Sequence, residues 1–357
     1  MQPKKLFTYP MDLLETPSGA QAARGANRFA VRSQHAADVL RLIIALSAEG
    51  VFLDDLLAEF SEPDRPAVTA LVESLVERKF AYYADNPSAE YGAESPQDLF
   101  IWHFSIGRDE FVSAMRDAEI LLVGVNLVSI NLRDVLLRAG VERISIVDDP
   151  LLRNVRLFDD TGTVEAFPEL QAVMVPANEL SDRYADGPEG GPLLVPCSDF
   201  GGHAAVRAWN QNAIELGWRM LPVVLSNLRG SIGPYVVPKA SPCYECLIAR
   251  QNANMDDVPE WRALDERAYE AQLTTAAYTD PMIVSLTGIA AMEITKIFGG
   301  LMLCPTGELI DISFLEPSIR RRPVLKIPGC PVCSSTEWRP AINISRDEFR
   351  KKLIANS

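Results

Sequence analysis

The chain has 357 residues, of which 48% are hydrophobic, and it carries a formal net charge of -14. This length can bury more than one hydrophobic core, so we expect at least two domains. The negative charge would repel a phosphate backbone, which argues against a nucleic-acid partner and favours a cationic or amphipathic peptide. No apolar run approaches the roughly 20 residues of a membrane-spanning helix, and no signal-peptide core follows the first residues. We therefore expect a cytoplasmic protein without a membrane partner.

The first region, residues 1–88, has the pattern of a small domain of strands and three helices. In chain order the expected elements are extended segments at 5–16 and 28–32, helices at 36–47, 51–59 and 66–79, and a closing strand at 80–83. The helices are predicted from apolar residues at helical spacing, and Asp64 followed by Pro66 is typical of a helix start. This order of elements is typical of a winged helix-turn-helix.

The third predicted helix carries an apolar stripe at helical spacing, formed by Val68, Leu71, Val72 and Leu75. Its basic residues stand only at its end, so it lacks the arginines that would read DNA bases or phosphates. A second use of this shape is to add a peptide as an extra strand at the sheet edge beside that helix. A dimerisation or purely structural module remains an alternative.

A change of pattern follows the first region. Residues 89–99 are rich in turn formers and predict a linker, and residues 339–357 predict a peripheral tail. Between them, within 100–338, strands are expected at 120–125, 143–147, 172–175, 193–196 and 221–225, helices at 129–139 and 280–298, and late antiparallel strands at 308–314 and 323–327. Buried apolar strands separated by helices predict a doubly wound, mostly parallel α/β sheet.

Four of the six cysteines form two C-x-x-C pairs, Cys243 with Cys246 and Cys330 with Cys333. In a cytosolic chain such pairs indicate a metal or redox site rather than a disulfide framework. Two tight turns supply the four thiolates that tetrahedral Zn²⁺ prefers, so we expect one structural zinc ion that joins distant parts of one domain. Free thiols and a thioredoxin-like redox pair are the alternatives; neither pair is expected to open a helix after an apolar strand.

The second region resembles the ThiF/MoeB group, relatives of ubiquitin-activating enzymes, in its order of strand, loop, helix, acidic strand end and two C-x-x-C pairs. The resemblance implies a nucleotide site for Mg-ATP and adenylation of a C-terminal carboxylate. It places Gly124 in the phosphate loop, Asp148 and Asp149 at the ribose or magnesium, and Asn154 and Arg156 at the triphosphate.

Several positions depart from the pattern of that group. Asn126 and Ser129 stand where the phosphate loop would carry later glycines, and Pro150 replaces the second acid of Asp-x-Asp. The resemblance matches Asp199 to a loop near the reacting carboxylate, but no lysine follows the Arg156 segment within the usual reach. We expect weak or absent ATP binding. No cysteine lies where thioester-forming members carry their nucleophile, which argues against covalent chemistry.

The two regions together resemble the partner proteins of azoline-forming cyclodehydratases (the ocin-ThiF or SagC type) and, more distantly, the enzyme that activates the microcin C peptide. The resemblance implies a PqqD-like first domain, which binds the leader of a ribosomally made precursor peptide, and a homodimer. The leader would pair with the strand at Phe29 and Val31 and pack on the third helix near Leu71, Val72 and Leu75. The chain would then present the precursor to a separate YcaO-type cyclodehydratase.

Two other functions stay open. One is an adenylating enzyme of the modified-peptide pathways, in which Arg156 offsets phosphate charge and Asp199 orients the reacting group. The other is a winged-helix transcription regulator with a ligand-sensing domain.

Overall fold

The computed structural model describes residues 4–85, 96–104, 106–159, 163–164, 167–180, 184, 191–254, 259–260, 263, 277–302 and 305–334. The chain forms two compact units, Met1–Phe111 and Val112–Ser357. Most of the 89–99 linker, all of the 339–357 tail and Cys304 lie outside the described residues.

The first unit consists of short strands and small helices. Its strands are β1 (Lys5–Thr8), β2 (Asp12–Thr16), β3 (Gly19–Arg24), β4 (Asn27–Val31) and β5 (Ala81–Ala84). Its helices are α1 (Ala36–Ser47), α2 (Leu53–Ala58), α3 (Arg65–Glu77) and α4 (Pro96–Trp102), and α5 (Arg108–Asp117) runs across the boundary to the second unit. The three helices expected between 36 and 79 are present, each within two residues of its predicted limits.

Two small antiparallel sheets complete the first unit. Strands β2, β3 and β4 pair in that order, and β1 pairs with β5. Sequence patterning did not predict β3, because Ala20 and Ala22 are its buried, inward-facing residues and alanine carries little strand signal. The core of this unit includes Leu40, Leu56 and Leu75, all fully buried.

Helix α4 belongs to the first unit. The guanidinium of Arg24 lies over the rings of Tyr9 and Trp102, with centroid distances of 4.9 and 4.6 Å, and its Nη1 donates to the carbonyl of Pro10 at 2.6 Å. Burial lowers the pKa of Arg24 from its usual value. The first unit therefore continues past the end of the predicted linker, because this cation–π contact joins α4 to the strands.

The second unit is built on a large sheet. Its strands are β6 (Glu119–Val123), β7 (Arg143–Asp148), β8 (Met174–Pro176), β9 (Leu193–Ser198), β10 (Val223–Ser226), β11 (Arg229–Ile232), β12 (Glu308–Ser313) and β13 (Ser318–Pro323). Its helices are α6 (Leu127–Arg138), α7 (His203–Leu216), α8 (Tyr244–Asn252) and α9 (Asp280–Gly299).

The eight described strands of this sheet follow the order β13-β12-β11-β10-β9-β6-β7-β8. The five from β10 to β8 are parallel, and β11, β12 and β13 extend the sheet in antiparallel fashion. The chain is thus a mixed α/β protein, as expected. The predicted strand at 323–327 is wrong, because β13 ends at Pro323. Most of this edge strand is exposed, and its charged residues Arg320, Arg321 and Arg322 do not give the apolar pattern from which a strand is predicted.

Helix α9 is long and apolar enough to cross a membrane by length and composition, which differs from the sequence-based expectation. Half of its apolar window is buried inside the fold. Its inward face includes Leu286, Thr287 and Ala290, and Thr287 Oγ1 donates to Asn131 Oδ1 of α6 at 2.5 Å. A core helix of a soluble protein passes the same test of length and hydropathy.

Candidate metal centre, nucleotide loop and peptide edge

The four paired cysteines come together in the second unit. Their Sγ atoms all lie within 4.8 Å of one another, with Cys243–Cys246, Cys243–Cys330 and Cys246–Cys333 separations of 4.0, 3.8 and 3.6 Å. A Zn–S bond of about 2.3 Å in tetrahedral geometry places sulfurs about 3.8 Å apart. The cluster could therefore hold one metal ion, and its size and sulfur ligands are consistent with zinc.

The first C-x-x-C turn opens helix α8, with Cys243 as its N-cap. The expectation was that neither pair opens a helix after an apolar strand; the first pair does open a helix, and turns at 238–240 precede it. The backbone nitrogen of Ile327 donates to Cys246 Sγ at 3.5 Å, a contact that favours the thiolate. The second pair lies in a turn after β13, so a bound metal would join α8 to the end of the sheet.

Three side chains on successive turns of α7 contact this cysteine turn. His203 Nδ1 lies 2.8 Å from the hydroxyl of Tyr244, and Asn210 Oδ1 accepts from the backbone nitrogen of Tyr244 at 2.9 Å. Arg207 makes two hydrogen bonds to the carboxylate of Glu245, at 2.8 and 3.0 Å. The cysteine turn is therefore attached along one face of α7, the helix that begins four residues after Asp199.

The loop between β6 and α6 is closed by Asn126, which is fully buried. Its Nδ2 donates to the carbonyls of Leu152 and Cys197 at 3.0 and 2.8 Å, while its Oδ1 accepts from the backbone nitrogen of Ser129 at 3.1 Å. Ser129 Oγ in turn accepts from the backbone nitrogen of Asn126 at 3.1 Å, which completes a capping box. Asn126 therefore links its own loop to the segment after β7 and to the end of strand β9.

A carboxylate occupies the amino end of α6. Asp199 Oδ2 accepts from the backbone nitrogen of Leu127 at 3.1 Å and from Asn154 Nδ2 at 2.7 Å, and the hydroxyl of Tyr278 donates to it at 3.3 Å. Free amides at a helix amino end are the groups that bind phosphate in nucleotide proteins. Here the amides of Asn126, Leu127 and Ser129 are all paired with side chains of the protein itself.

Burial is the main influence on Asp199, and it raises the pKa of this carboxyl above its usual value. The hydrogen bonds from Asn154, Leu127 and Tyr278 act in the opposite direction and favour the carboxylate. Oδ1 is buried and has no hydrogen-bond partner among the described residues. Arg156 lies exposed beside this group, and its backbone nitrogen donates to Asn154 Oδ1 at 3.1 Å.

The two predicted acids at the end of β7, Asp148 and Asp149, have partners within the protein. Asp148 makes a two-pronged ion pair with Arg153, at 2.7 and 2.5 Å. Asp149 is fully buried, and its oxygens accept from the backbone nitrogen of Leu151 at 2.9 Å and from Trp209 Nε1 at 2.6 Å. Burial raises the pKa of Asp149. Both carboxylate oxygens of Asp149 are therefore used within the protein, and its place at a ribose or magnesium stays a prediction.

The backbone conformation and the close packing at position 124 require a glycine. It adopts φ of +100°, and a Cβ there would lie 2.6 Å from Leu152 Cβ and 2.8 Å from its carbonyl oxygen. The segment after β7 thus packs directly on the loop backbone. In this structure the glycine allows loop-to-loop contact, whereas the sequence pattern had assigned it to phosphate approach.

The predicted peptide-binding residues of the first unit divide into two groups. Val31 on β4 and Leu71 on α3 are half-buried and reach the surface, whereas Phe29 on β4 is buried in the core of the unit. The other three are core residues with at most 4% exposure: Val68, Val72 and Leu75. These three side chains pack toward the core of their own domain, as the apolar stripe of an amphipathic helix does, and their contact with a peptide stays a prediction.

No protein-family model and no curated protein matches this sequence. Solved structures match it strongly in fold. E. coli MccB with MccA is 15% identical, with a TM-score of 0.63 over 92% of this chain and 100% of MccB. The MccB complex with ATP gives a TM-score of 0.62 at the same identity and coverage.

The heterocyclase TruD is 16% identical, with a TM-score of 0.58, and the match covers 98% of this chain and 47% of TruD. The chain therefore corresponds to about half the length of TruD and the whole length of MccB. At these identities the likeness is one of fold. This chain accordingly has the mixed α/β fold, with a large and mostly parallel sheet, that is found in MccB and TruD.

Proposed function

We propose that this chain is a peptide-presenting protein of ribosomal peptide biosynthesis. Its first unit, a PqqD-like winged-helix domain, binds the leader of a precursor peptide as an added strand on β4. Its second unit, a ThiF-like domain with structural zinc, delivers the rest of the precursor to a separate YcaO-type cyclodehydratase that uses ATP. The protein acts as a homodimer in the cytoplasm and has no nucleotide chemistry of its own.

The observation that carries this proposal is the hydrogen bond between Asp199 and the backbone nitrogen of Leu127. A carboxylate at the amino end of α6 uses the amide and the favourable helix dipole that an anionic phosphate would need. It would also repel that phosphate at close range. Asn126 takes the amide of Ser129 in the same loop. These contacts support a protein that binds no phosphate at this helix end.

The structural comparisons support a role in peptide modification. MccB is described as a microcin C7 biosynthetic enzyme and is solved with the peptide MccA, and TruD is described as a heterocyclase. The match covers 47% of TruD, so this chain would correspond to one part of such an enzyme.

Isothermal titration with Mg-ATP tests the absence of nucleotide chemistry. We expect no heat of binding up to millimolar nucleotide, with or without precursor peptide, and no release of pyrophosphate. Micromolar binding together with pyrophosphate release would overturn the proposal. A pull-down with a candidate YcaO-type cyclodehydratase tests the partner, and we expect the enzyme to be retained and to lose its peptide-processing activity when this chain is left out.

The second candidate is an adenylating enzyme, and the buried, unpaired Oδ1 of Asp199 favours it. In that case Asp199 would turn away from Leu127 when Mg-ATP enters, and Arg156 would face the phosphates. The same titration separates the two functions, because only an adenylating enzyme binds nucleotide and releases pyrophosphate.

A further inference from the structure

We propose that the β4 edge of the first unit selects an acidic segment of the leader, in which carboxylates flank an apolar side chain. This inference rests on the proposed peptide-binding function and specifies its ligand. It reverses the expectation from the net charge of -14, which favours a cationic peptide. The local charges at the edge are positive, and they lie within reach of a bound strand.

Strand β4 is an open edge in the described part of the first unit. It pairs with β3 on one side, and no backbone hydrogen bond from the strand to any other described segment occupies its other side. Phe29 and Val31 turn inward, while Arg28 and Ala30 are exposed on the opposite face. An extended peptide could therefore pair with the free edge of this strand.

Helix α3 provides the second wall. Ala67, Leu71, Ser74 and Arg78 follow one another at i, i+4, i+7 and i+11, so they share a face of the helix and its C-terminal cap. The guanidinium of Arg78 lies over the ring of Phe29, 5.2 Å from its centroid. This contact places the face beside β4. Ala67 and Ser74 on this face are small, so an apolar side chain of the peptide can pack against the half-buried Leu71.

Three arginines around this edge are exposed and form no ion pair with any described carboxylate: Arg28, Arg32 and Arg78. Arg41 of the same unit differs, because Glu15 and Asp38 neutralise it. The nearest acids of α3, Glu73 and Glu77, lie about 200° and 240° around the helix from Leu71. They therefore project away from the edge.

The positions of these three arginines match a bound peptide strand that carries a carboxylate on each side of its apolar residue. Arginine forms two parallel hydrogen bonds with a carboxylate, which gives both orientation and charge selectivity. Screening limits the reach of surface charges to about 10 Å at moderate salt, so the arginines at the edge outweigh the distant acids of the chain. Binding should therefore weaken as salt rises.

A selection experiment on the full chain tests this inference. Immobilised protein is exposed to a displayed library of random 12-residue peptides, and we expect the retained peptides to be enriched in Asp and Glu around an apolar residue. A labelled synthetic copy of one retained peptide then gives its Kd by fluorescence anisotropy. Replacing its Asp and Glu by Asn and Gln should weaken binding at least ten-fold.

Variants of the protein identify the contact. Arg78→Glu should weaken the acidic peptide at least ten-fold, whereas Arg138→Glu, an exposed arginine of the second unit with the same charge change, should leave it unchanged. A peptide with Lys in place of its acids should recover affinity for Arg78→Glu. Circular dichroism confirms that each variant is folded. Retained peptides without acids, with affinities indifferent to Arg78→Glu, would overturn the acidic-leader inference alone. A library that yields no binder would overturn peptide binding itself.

Discussion

Asp199 Oδ2 lies 3.1 Å from the backbone nitrogen of Leu127, at the amino end of the helix that would bind phosphate in a nucleotide protein of this fold. The carboxylate is held there by Asn154 and Tyr278 as well. The contact joins β9 to α6 across a distance of 72 positions in the chain. The loop between β6 and α6 is therefore joined to the segment after β9 by a buried carboxyl group of the protein itself.

Removal of that anion should create a weak anion site. We expect Asp199→Ala to be stabilised by millimolar pyrophosphate, since the amide of Leu127 becomes free, whereas the native protein should not respond. A ligand at ten times its Kd adds about 1.4 kcal/mol to the unfolding free energy. Thermal unfolding with and without pyrophosphate measures this. Asp134→Ala, an exposed change on α6, is the control, and an equal response of both variants would contradict the internal-anion interpretation.

Among the side chains of the loop between β6 and α6, we expect Asn126 to be the one whose replacement destabilises the protein most. Asn126→Ala removes two donors from buried carbonyls and the acceptor of the Ser129 amide, and we expect a loss of about 2–4 kcal/mol in unfolding free energy. Ser129→Ala removes the returning bond of the capping box and the bond that Ser129 Oγ donates to the carbonyl of Asn126, and should cost about 1 kcal/mol. Urea denaturation gives both values, and similar costs for the two changes would refute the bridging role of Asn126.

Gly124 and Gly288 form a matched pair of glycine substitutions. Gly124→Ala adds a Cβ 2.6 Å from Leu152 at a positive φ, so it should destabilise the protein by about 2 kcal/mol or more. Gly288→Ala lies in helix α9 with open space around the new Cβ, and it should stabilise by about 0.5–1 kcal/mol. Chemical denaturation of both variants measures the contrast. A neutral Gly124→Ala would mean that the loop packs less tightly than described.

His203 should make stability depend on pH. Burial, with a smaller effect of Arg207, lowers the pKa of His203 to about 4. The unfolded chain then binds more protons than the folded one between about pH 4 and 6.5, so stability is fully present above pH 6.5 and falls as pH decreases toward 4. The loss should approach about 3 kcal/mol. His203→Gln should flatten this part of the curve, and an unchanged curve would exclude His203 as its source.

Loss of the metal should destabilise helix α7. Cys330→Ser with Cys333→Ser should abolish zinc binding and lower the thermal midpoint, because metal binding contributes directly to folding. Hydrogen exchange should quicken in α7, to which the cysteine turn is attached through Tyr244 and Glu245. Cys197→Ser, a buried cysteine outside the cluster, should keep its zinc. A stable zinc-free protein with protected α7 amides would rule out the structural role.

The elements with strong periodicity were predictable from the sequence, and the role of individual polar residues was not. Helix α1 coincides with its predicted limits, since its apolar spacing is unambiguous. The four cysteines are close together as their motif predicts. Strand β3 was missed because its inward residues are alanines, and β13 was displaced because most of its residues are exposed and charged.

The site residues show why spacing alone has limits. In comparison with the ThiF/MoeB pattern, Asn126 stands where a glycine is expected. The spacing of Asn126 and Ser129, at N-cap and N3, could have indicated a capping box instead. Nothing in the sequence places Asp199 beside Leu127, because that contact depends on the order of strands in the sheet. The spacing of Val68, Val72 and Leu75 is typical of a binding stripe and of a core stripe alike. Only the structure shows that these side chains are buried in the core.

An anion that is part of the chain cannot dissociate. A protein that holds ATP gains stability in proportion to the logarithm of the nucleotide concentration, so it loosens when a cell is starved of energy. The carboxylate of Asp199 is present at every nucleotide level and at a fixed position. Under the proposed function, the fold of this protein should be equally stable in fed and starved cells, and the supply of ATP would act on the cyclodehydratase alone.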